Sequence, residues 1–235
     1  MGVSTISLGL GLGGGKSATS SGTSGGGGTP FENLKSVSMD GTNDSIILST
    51  SVSFSGECTF STWIKPSVSG ASVFLGQVAS NVIYMFISSQ NITFVPKIGV
   101  STITTSGVTI SNGSWYHVLV IRDASNSITI YVDGVSRATG SYSGSMTLPT
   151  SMLPSSYPYA GLADEYAVWD SDQSANISSL YNSGVPADLT SLSPVGWWRM
   201  GDINGASGVT ITDQGSGGNN ATLTNGPTYS TSVPS

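Results

Sequence analysis

Residues 115–134 read WYHVLVIRDASNSITIYVDG and carry the clearest secondary-structure signal in the chain. The second half of this stretch alternates apolar and polar side chains, which is the pattern of a β-strand with two different faces. Asp133 and Gly134 then favour a tight two-residue turn into Val135. We therefore predict an antiparallel hairpin, with Ile128, Ile130 and Val132 on one face of its strand and Thr129, Tyr131 and Asp133 on the other.

Short β-rich runs, separated by turn residues, continue on both sides of this hairpin. Their roughly regular spacing is typical of a β-sandwich or a barrel. The predicted strands are Ser45–Leu48, Cys58–Ile64, Val73–Val78, Val82–Ser88, Ile92–Val95, Val100–Thr105, Trp115–Arg122, Ser127–Val132, Ser136–Ser141, Gly161–Trp169, Pro194–Met200 and Ala221–Thr224. The segment Ser174–Asn182 alone has a helical apolar pattern, and Gly184 can end that helix. The sequence predicts an all-β fold with one short helix.

The composition argues against several classes of protein. Only 9% of the 235 residues are charged, and 7 Lys and Arg residues face 13 Asp and Glu residues, for a formal net charge of −6. A helical bundle needs many more charged helix formers, and a nucleic-acid-binding protein needs a basic surface. No run of about 18 apolar residues predicts a transmembrane helix. Neither nucleic acid nor a membrane is an expected partner.

The chain changes character near residue 30. Residues 1–30 are dominated by Gly, Ser and Thr, a composition that cannot bury a core of its own. We interpret them as an extended N-terminal arm, and residues 31–235 as one domain. Leu8, Leu10 and Leu12 alternate with other residues, which suits an extended strand laid on another surface. We expect this arm to anchor the protein on a neighbouring subunit in a homo-oligomer. The alternative is that it packs along its own domain.

Two features bear on where the protein is made. The segment from Met1 to Ser24 lacks the basic start and the unbroken apolar run of a secretory signal peptide. Cys58 is the only cysteine, so no internal disulfide can form. Both features favour a protein that is made in the cytoplasm and leaves it, if at all, as part of an assembly.

Four segments, taken in chain order, resemble the strands of a known family. They are Ser38–Asp44 before a short strand, Thr59–Pro66 (TFSTWIKP), Trp115–Gly134 and Gly161–Asp170 (GLADEYAVWD). Together they resemble the laminin-G-like domains of the concanavalin A-like lectin/glucanase superfamily. The resemblance implies a jelly-roll sandwich of two antiparallel sheets. It leaves the function open, because the superfamily contains glycan binders, protein-binding modules, glycosidases and structural domains.

The acidic residues do not indicate catalysis. A glycosidase of this architecture needs two carboxylates that face each other across a groove, and the glucanases of the superfamily usually carry an E-x-D-x-x-E pattern that this sequence lacks. Asp164 and Glu165 are adjacent and are expected on opposite faces of a strand, one of them accepting hydrogen bonds from loop backbone. His117 is expected to pack or hydrogen-bond at a strand edge. We predict that the protein is not an enzyme.

One turn carries a candidate metal site. Calcium binds six to eight oxygen ligands, several of them from carboxylates. Asp40, Asn43 and Asp44 cluster in a single turn and are the predicted calcium ligands. The alternative is that the three residues only shape the turn, because Asp and Asn side chains hydrogen-bond their own backbone. Calcium is the only cofactor that the sequence suggests.

A glycan site would need aromatic rings on an exposed loop or face. Tyr142, Tyr157 and Tyr159 lie in segments rich in Ser, Pro and Gly, and they are the predicted glycan-binding residues. The tryptophans of the strand motifs are expected in the core instead, since large aromatic side chains contribute much of the buried apolar area. These tryptophans are Trp63, Trp115, Trp169 and Trp197.

The combination of arm, lone cysteine and lectin-like jelly roll resembles the laminin-G-like virion proteins of tailed bacteriophages. This resemblance implies a non-enzymatic structural protein at the virion surface, such as a capsid decoration protein, a head fibre or a tail appendage, made in the host cytoplasm. The arm would then hold it to other capsid or tail proteins. Residues 31–235 would face outward and stiffen the shell, contact host glycans, or do both. The alternatives are a secreted or cell-surface carbohydrate-binding adhesin and, after it, a glycosidase.

Overall fold

The computed structural model describes residues 31–68 and 70–235. The predicted arm, with Leu8, Leu10 and Leu12, lies outside these residues. The strands are β1 (Ser36–Asp40), β2 (Ser45–Leu48), β3 (Val52–Phe54), β4 (Cys58–Pro66), β5 (Ser72–Gly76), β6 (Tyr84–Ser88), β7 (Asn91–Val95), β8 (Ile103–Thr104), β9 (Tyr116–Arg122), β10 (Ser127–Val132), β11 (Val135–Ser141), β12 (Met146–Leu148), β13 (Ser151–Leu153), β14 (Ala160–Trp169), β15 (Gly196–Trp198), β16 (Thr210–Ile211), β17 (Ala221–Thr224) and β18 (Thr228–Ser230).

One layer of the fold is an eight-stranded antiparallel sheet. Seven strands follow the order β11-β10-β9-β4-β14-β1-β18, and β15 also pairs with β14. The opposite layer consists of smaller sheets with the orders β5-β6-β7-β8, β13-β2-β17-β16 and β12-β3. A single apolar cluster contains side chains from both layers, for example Phe60 and Val120 from the large sheet and Phe94 and Leu48 from the smaller ones. The predicted two-layer jelly roll is confirmed.

The hairpin of β10 and β11 has the predicted geometry. Ile128, Ile130 and Val132 are fully buried in the core, while Thr129 and Tyr131 are half-buried on the other face. Asp133 and Gly134 have φ angles of 52° and 74°, and Val132 pairs with Val135 across them. Two successive positive φ angles identify a type I′ turn, whose twist matches that of the strands.

A second apolar cluster covers the outer face of the large sheet. The short helix α1 (Ile177–Tyr181), with 3₁₀ turns at Ser174–Asn176 and Asn182–Gly184, occupies the predicted helical segment. Another 3₁₀ turn spans Thr190–Leu192. Leu180 of the helix is buried with side chains of β9 and β14, including Leu119 and Trp169. The large sheet is therefore covered on both faces at β9 and β14, which explains why β9 has apolar side chains on both faces.

Six observed strands were not predicted from the sequence. They are β1, β3, β12, β13, β16 and β18, none longer than five residues. Several are rich in Ser and Thr and pair along only part of a neighbour, so hydrophobic periodicity over so few residues gives little signal. Within the described residues, no helix is long and apolar enough to cross a membrane.

A substitution at Gly161, near the start of β14, tests how tightly the large sheet is packed there. Gly161 has a φ angle of +142°, and a Cβ there would overlap the carbonyl oxygen of Lys65. We expect Gly161→Ala to lower the free energy of unfolding by about 3 kcal/mol, through backbone strain and overpacking together. Urea denaturation followed by tryptophan fluorescence measures the change.

Gly56 is the matched control, because nothing lies within 4 Å of a Cβ built there and its φ angle is not positive. Gly56→Ala should shift the urea midpoint by a small fraction of the Gly161→Ala shift. Equal shifts in the two variants would contradict the packing argument.

Candidate functional site: an aromatic groove

A shallow groove opens on the outer face of the β5-β6-β7-β8 sheet, on strands β5 and β6. It has a volume of about 200 Å³. Its walls come from these strands, from the segments beside them and from the loop that precedes β14. The lining residues are Ala71, Ser72, Val73, Val78, Tyr84, Phe86 and Tyr157.

Strand β6 supplies two aromatic rings to the groove. Its side chains alternate, so that Met85 and Ile87 enter the core while Tyr84 and Phe86 stay half-exposed on the outer face. The rings of Tyr84 and Phe86 are stacked, with centroids 5.9 Å apart and an interplanar angle of 27°. The register pairs Phe86 with Val73 of β5, which places both side chains on the same outer face.

Tyr157 forms the exposed wall of the groove. Its side chain is 60% exposed, and its φ angle of 56° lies in the left-handed region that bulky residues rarely adopt. The backbone is held there because the N–H of Val73 donates a hydrogen bond to the Tyr157 carbonyl oxygen at 3.0 Å. Burial raises the pKa of the Tyr84 phenol, and the nearby Tyr157 phenol raises it further. The side chains of Tyr84 and Tyr157 both line the groove.

The three predicted glycan-binding tyrosines have different environments. Tyr157 lines the groove and is exposed, and glycan binding by this residue stays a prediction. Tyr159 is fully buried, and its hydroxyl donates to the carbonyl oxygen of Leu162, so the prediction is wrong for this residue. Tyr142 is half-buried against the core and does not line the groove. Tyr84 and Phe86 are not predictable from the sequence, because β6 is apolar at every position but its ends and gives no sign of which face is exposed.

The tryptophans of the strand motifs are mostly in the core. Trp63, Trp169 and Trp197 are buried, as predicted. Trp115 differs, because it precedes β9 and is only half-buried. None of the four lines the groove, so its aromatic character comes from Tyr and Phe side chains alone.

The predicted calcium turn is a network of internal hydrogen bonds. The Asp44 carboxylate accepts the backbone N–H of Asp40 at 2.8 Å, and the Asp40 carboxylate accepts the N–H of Thr42 at 2.7 Å. The carbonyl oxygen of Asn43 accepts the side-chain amide of Asn225. These contacts fit the turn-shaping alternative. Within the described residues, no three His, Cys, Asp or Glu side chains are grouped to hold a metal ion, and calcium binding stays a prediction.

Asp164 and Glu165 do not face opposite sides of β14, contrary to the prediction. Glu165 has a φ angle of 46° and sits in a bulge, where the pairing with β4 shifts register. The bulge breaks the alternation of side chains. Asp164 accepts a hydrogen bond from the Asn33 amide at 3.0 Å, and Glu165 accepts one from the indole of Trp197 at 2.5 Å. Their partners are therefore mainly side chains, where loop backbone was expected.

Arg199 sits at the centre of this buried network. Its Nε lies 3.0 Å from the Glu165 carboxylate, and its Nη2 lies 3.2 Å from Asp202. The guanidinium stacks over the ring of Phe31, 4.1 Å from the centroid, and also donates to the carbonyl oxygen of Glu32. The network therefore fixes residues 31–34 against the domain, because the N–H of Leu34 also donates to Asp202.

The network holds three carboxyl groups and one guanidinium. Burial and the neighbouring charge of Glu165 raise the pKa of Asp164 well above its usual range. Burial raises the pKa of Glu165 to about 7, although Arg199 and Trp197 favour its ionised form. These groups bind each other and do not line the groove. Their arrangement therefore stabilises the fold.

His117 is buried in an interior strand, not at the predicted strand edge. Strand β9 lies between β4 and β10, and the Nε2 atom of His117 lies 2.8 Å from the Ser61 hydroxyl. Its ring packs on Trp63 and Tyr181. Burial lowers the pKa of His117 to about 3. This Ser–His pair is sealed beneath α1, so it offers no access to a substrate.

Comparison with known proteins agrees with the fold. The family described as the concanavalin A-like lectin/glucanases superfamily matches residues 40–176. Among solved structures, a Bacteroides ovatus protein to which carbohydrate binding has been ascribed aligns with a TM-score of 0.65 and 18% identity, over 87% of this chain and 62% of its own. A heptameric SAP-like pentraxin from Limulus polyphemus aligns with a TM-score of 0.51 and 16% identity, over 63% of this chain and 82% of its own.

The family match covers more than half of the sequence. The fold defines a lectin-like jelly-roll domain, and the chain belongs to the concanavalin A-like lectin/glucanase superfamily. It spans less than two thirds of the Bacteroides ovatus protein. A search of curated proteins found no match.

The Asp164 carboxyl should make stability depend on pH. Its pKa is raised in the folded state, so the folded protein keeps a proton that the unfolded chain releases. The resulting stabilisation is complete below the unfolded pKa of about 3.9 and is lost as pH rises towards the folded pKa. We expect Asp164→Asn to gain stability relative to the wild type as pH rises from 4 to 8, by up to about 1.4 kcal/mol per pH unit. Urea denaturation at several pH values measures this difference.

The substitution is compatible with the local hydrogen bonds. The buried Oδ1 of Asn33 has no partner within the described residues, and turning the Asn33 amide over presents that oxygen to the new amide or to a protonated Asp164. Asp170→Asn is the control, because Asp170 is exposed at the end of β14. A pH-independent difference between wild type and Asp164→Asn would contradict the assignment.

Proposed function

We propose that this domain binds carbohydrate in the aromatic groove. The observation that carries the proposal is Tyr157, an exposed aromatic residue held in a left-handed backbone conformation beside the stacked rings of Tyr84 and Phe86. Backbone strain of this kind costs about 1–3 kcal/mol and persists where the surrounding structure enforces it, often at binding sites. Without a ligand, an exposed tyrosine gains little that would offset this cost.

The chemistry of the groove supports the same proposal. Sugar rings present faces of C–H groups, which are attracted to the negative faces of aromatic rings. Phenolic hydroxyls can both donate and accept hydrogen bonds, and Tyr84 and Tyr157 bring two of them to the groove. The Bacteroides ovatus protein with a similar fold has carbohydrate binding ascribed to it, which is consistent with this role.

We propose further that the protein is not an enzyme. Glycoside hydrolysis needs two carboxyl groups on either side of the scissile bond, and no carboxyl group lines the groove. The adjacent pair Asp164 and Glu165 is buried and bound to Asn33, Trp197 and Arg199. Carbohydrate binding accounts for the groove. Glycoside hydrolysis would need an acid and a base or nucleophile beside the sugar, and no carboxyl side chain lines the groove.

Glycan-array binding of the full chain tests the site. We expect the wild type to bind a subset of glycans and Tyr157→Asn to lose at least about tenfold in affinity, because stacking on the ring contributes about 1.5 kcal/mol or more. Asparagine tolerates the left-handed conformation, so this variant removes the ring and keeps the loop. Val135→Asn is the control, since Val135 is exposed on β11 in the other layer. Unchanged binding by Tyr157→Asn would exclude the groove.

A virion role is the second proposal. In it, the protein is a bacteriophage capsid decoration protein, head fibre or tail appendage on the virion surface, anchored to capsid or tail proteins and to its own copies by residues 1–30. The Arg199 network supports it, because residues 31–34 are fixed on the domain by Phe31, Glu32 and Leu34 contacts and form a rigid attachment point for an anchor. The alternative is a secreted or cell-surface carbohydrate-binding adhesin, which would use the same groove.

Light scattering on the full chain and on residues 31–235 tests the anchor. Residues 31–235 contain both apolar clusters, so the shortened chain keeps its core. We expect a defined oligomer for the full chain and a monomer for the shortened one. Two monomers would contradict the homo-oligomer proposal and favour the adhesin.

A further inference from the structure

The aromatic groove carries no formal charge. Its seven lining residues are apolar, aromatic or hydroxyl-bearing, and none is Asp, Glu, Lys, Arg or His. A carboxylate or ammonium group of a ligand would lose water here without meeting a counter-charge, which is strongly unfavourable.

The size of the groove limits how much of a ligand it can hold. Its volume of about 200 Å³ is below the ~300–1,000 Å³ of pockets that enclose a drug-sized molecule. It therefore accommodates one ring-sized group and leaves the rest of a longer ligand in solvent. Tyr157, with 60% of its surface exposed, stands at the open side.

The net charge of the whole chain also disfavours anionic ligands. The formal net charge is −6 at pH 7, so the long-range field of the protein opposes the approach of anionic polysaccharides. Salt screens this field beyond about 8–10 Å. Salt does not supply the counter-charge that the groove lacks. The missing cation therefore decides, at close range, between neutral and anionic sugars.

Resting on the proposed carbohydrate binding, we propose that the ligand of the groove is one neutral hexopyranose at the end of a glycan, and that the groove rejects sugar acids. One face of the pyranose packs on the aromatic rings of Phe86 and Tyr157. The hydroxyls at its edge exchange hydrogen bonds with the phenols of Tyr84 and Tyr157. The carboxylate of a uronic or sialic acid has no cation to meet in this site.

The test uses sugars that differ only in charge. Methyl glucoside and methyl glucuronide form one pair, and methyl galactoside and methyl galacturonide form another. Ligand-observed NMR titration of the full chain, at 0.15 M salt, gives the ratio of affinities within each pair. We expect the neutral sugar of at least one pair to bind at least tenfold tighter than its acid, and Tyr157→Asn to abolish that binding.

A charge introduced at the groove provides a second measurement. Ala71 is exposed and lines the groove, so Ala71→Lys supplies the missing cation without disturbing the core. We expect this variant to improve the affinity of the sugar acid relative to the neutral sugar by at least fivefold. Val135→Lys, on the other layer, changes the net charge by the same amount and should leave the ratio unchanged. Equal shifts in the two variants would overturn the argument from local charge.

The remaining outcomes distinguish the selectivity for neutral sugars from the proposal that the groove binds carbohydrate at all. If the wild type binds sugar acids as tightly as neutral sugars, and Tyr157→Asn abolishes both, the selectivity is wrong and carbohydrate binding in the groove stands. If neither kind of sugar binds, or if Tyr157→Asn leaves binding intact, both the selectivity and the groove assignment fail.

Discussion

The buried ion pair between Glu165 and Arg199 holds the centre of the large sheet together. Strand β14 pairs with β4 along one edge, whereas its other edge pairs first with β1 and then with β15. The bulge at Glu165 lies where that partner changes. Two buried charges are costly unless each is paired and hydrogen-bonded, and here Trp197, Asp202 and the backbone of Glu32 complete the set. The same contacts that satisfy Arg199 thus join β14, β15 and the segment before β1.

Sequence patterns were sufficient where β-rich residues form a clear run or alternation between turn residues. The β10–β11 hairpin follows from alternation and an Asp-Gly turn, and Ser45–Leu48, Ser127–Val132 and Ala221–Thr224 have the predicted bounds. The bulge was beyond such reasoning, because a single residue in a left-handed conformation changes which side chains share a face. The missing strands have at most five residues, and all of them except β1 lie at a sheet edge or in the two-stranded sheet, where tertiary contacts outweigh local preference.

The candidate site shows the same division. Loop composition correctly selected Tyr157 as an exposed aromatic residue, yet it also selected Tyr159, two residues later and fully buried. Loop composition could not distinguish them, since the difference arises from where the chain enters β14. Tyr84 and Phe86 became visible only once the register of β5 and β6 was known. A surface built from two strands and a distant loop has no contiguous signal in the sequence.

The strained conformation of Tyr157 also has an evolutionary consequence. Its φ angle of 56° is tolerated best by Gly, Asn and Asp, none of which has an aromatic ring. The substitutions that the backbone tolerates best at this position therefore remove the aromatic ring on which a sugar would stack. A single substitution can thus remove the proposed carbohydrate binding, while the jelly roll persists and even gains stability. An aromatic residue retained at position 157 among diverged copies of this gene would be a mark of selection for ligand binding and not for folding.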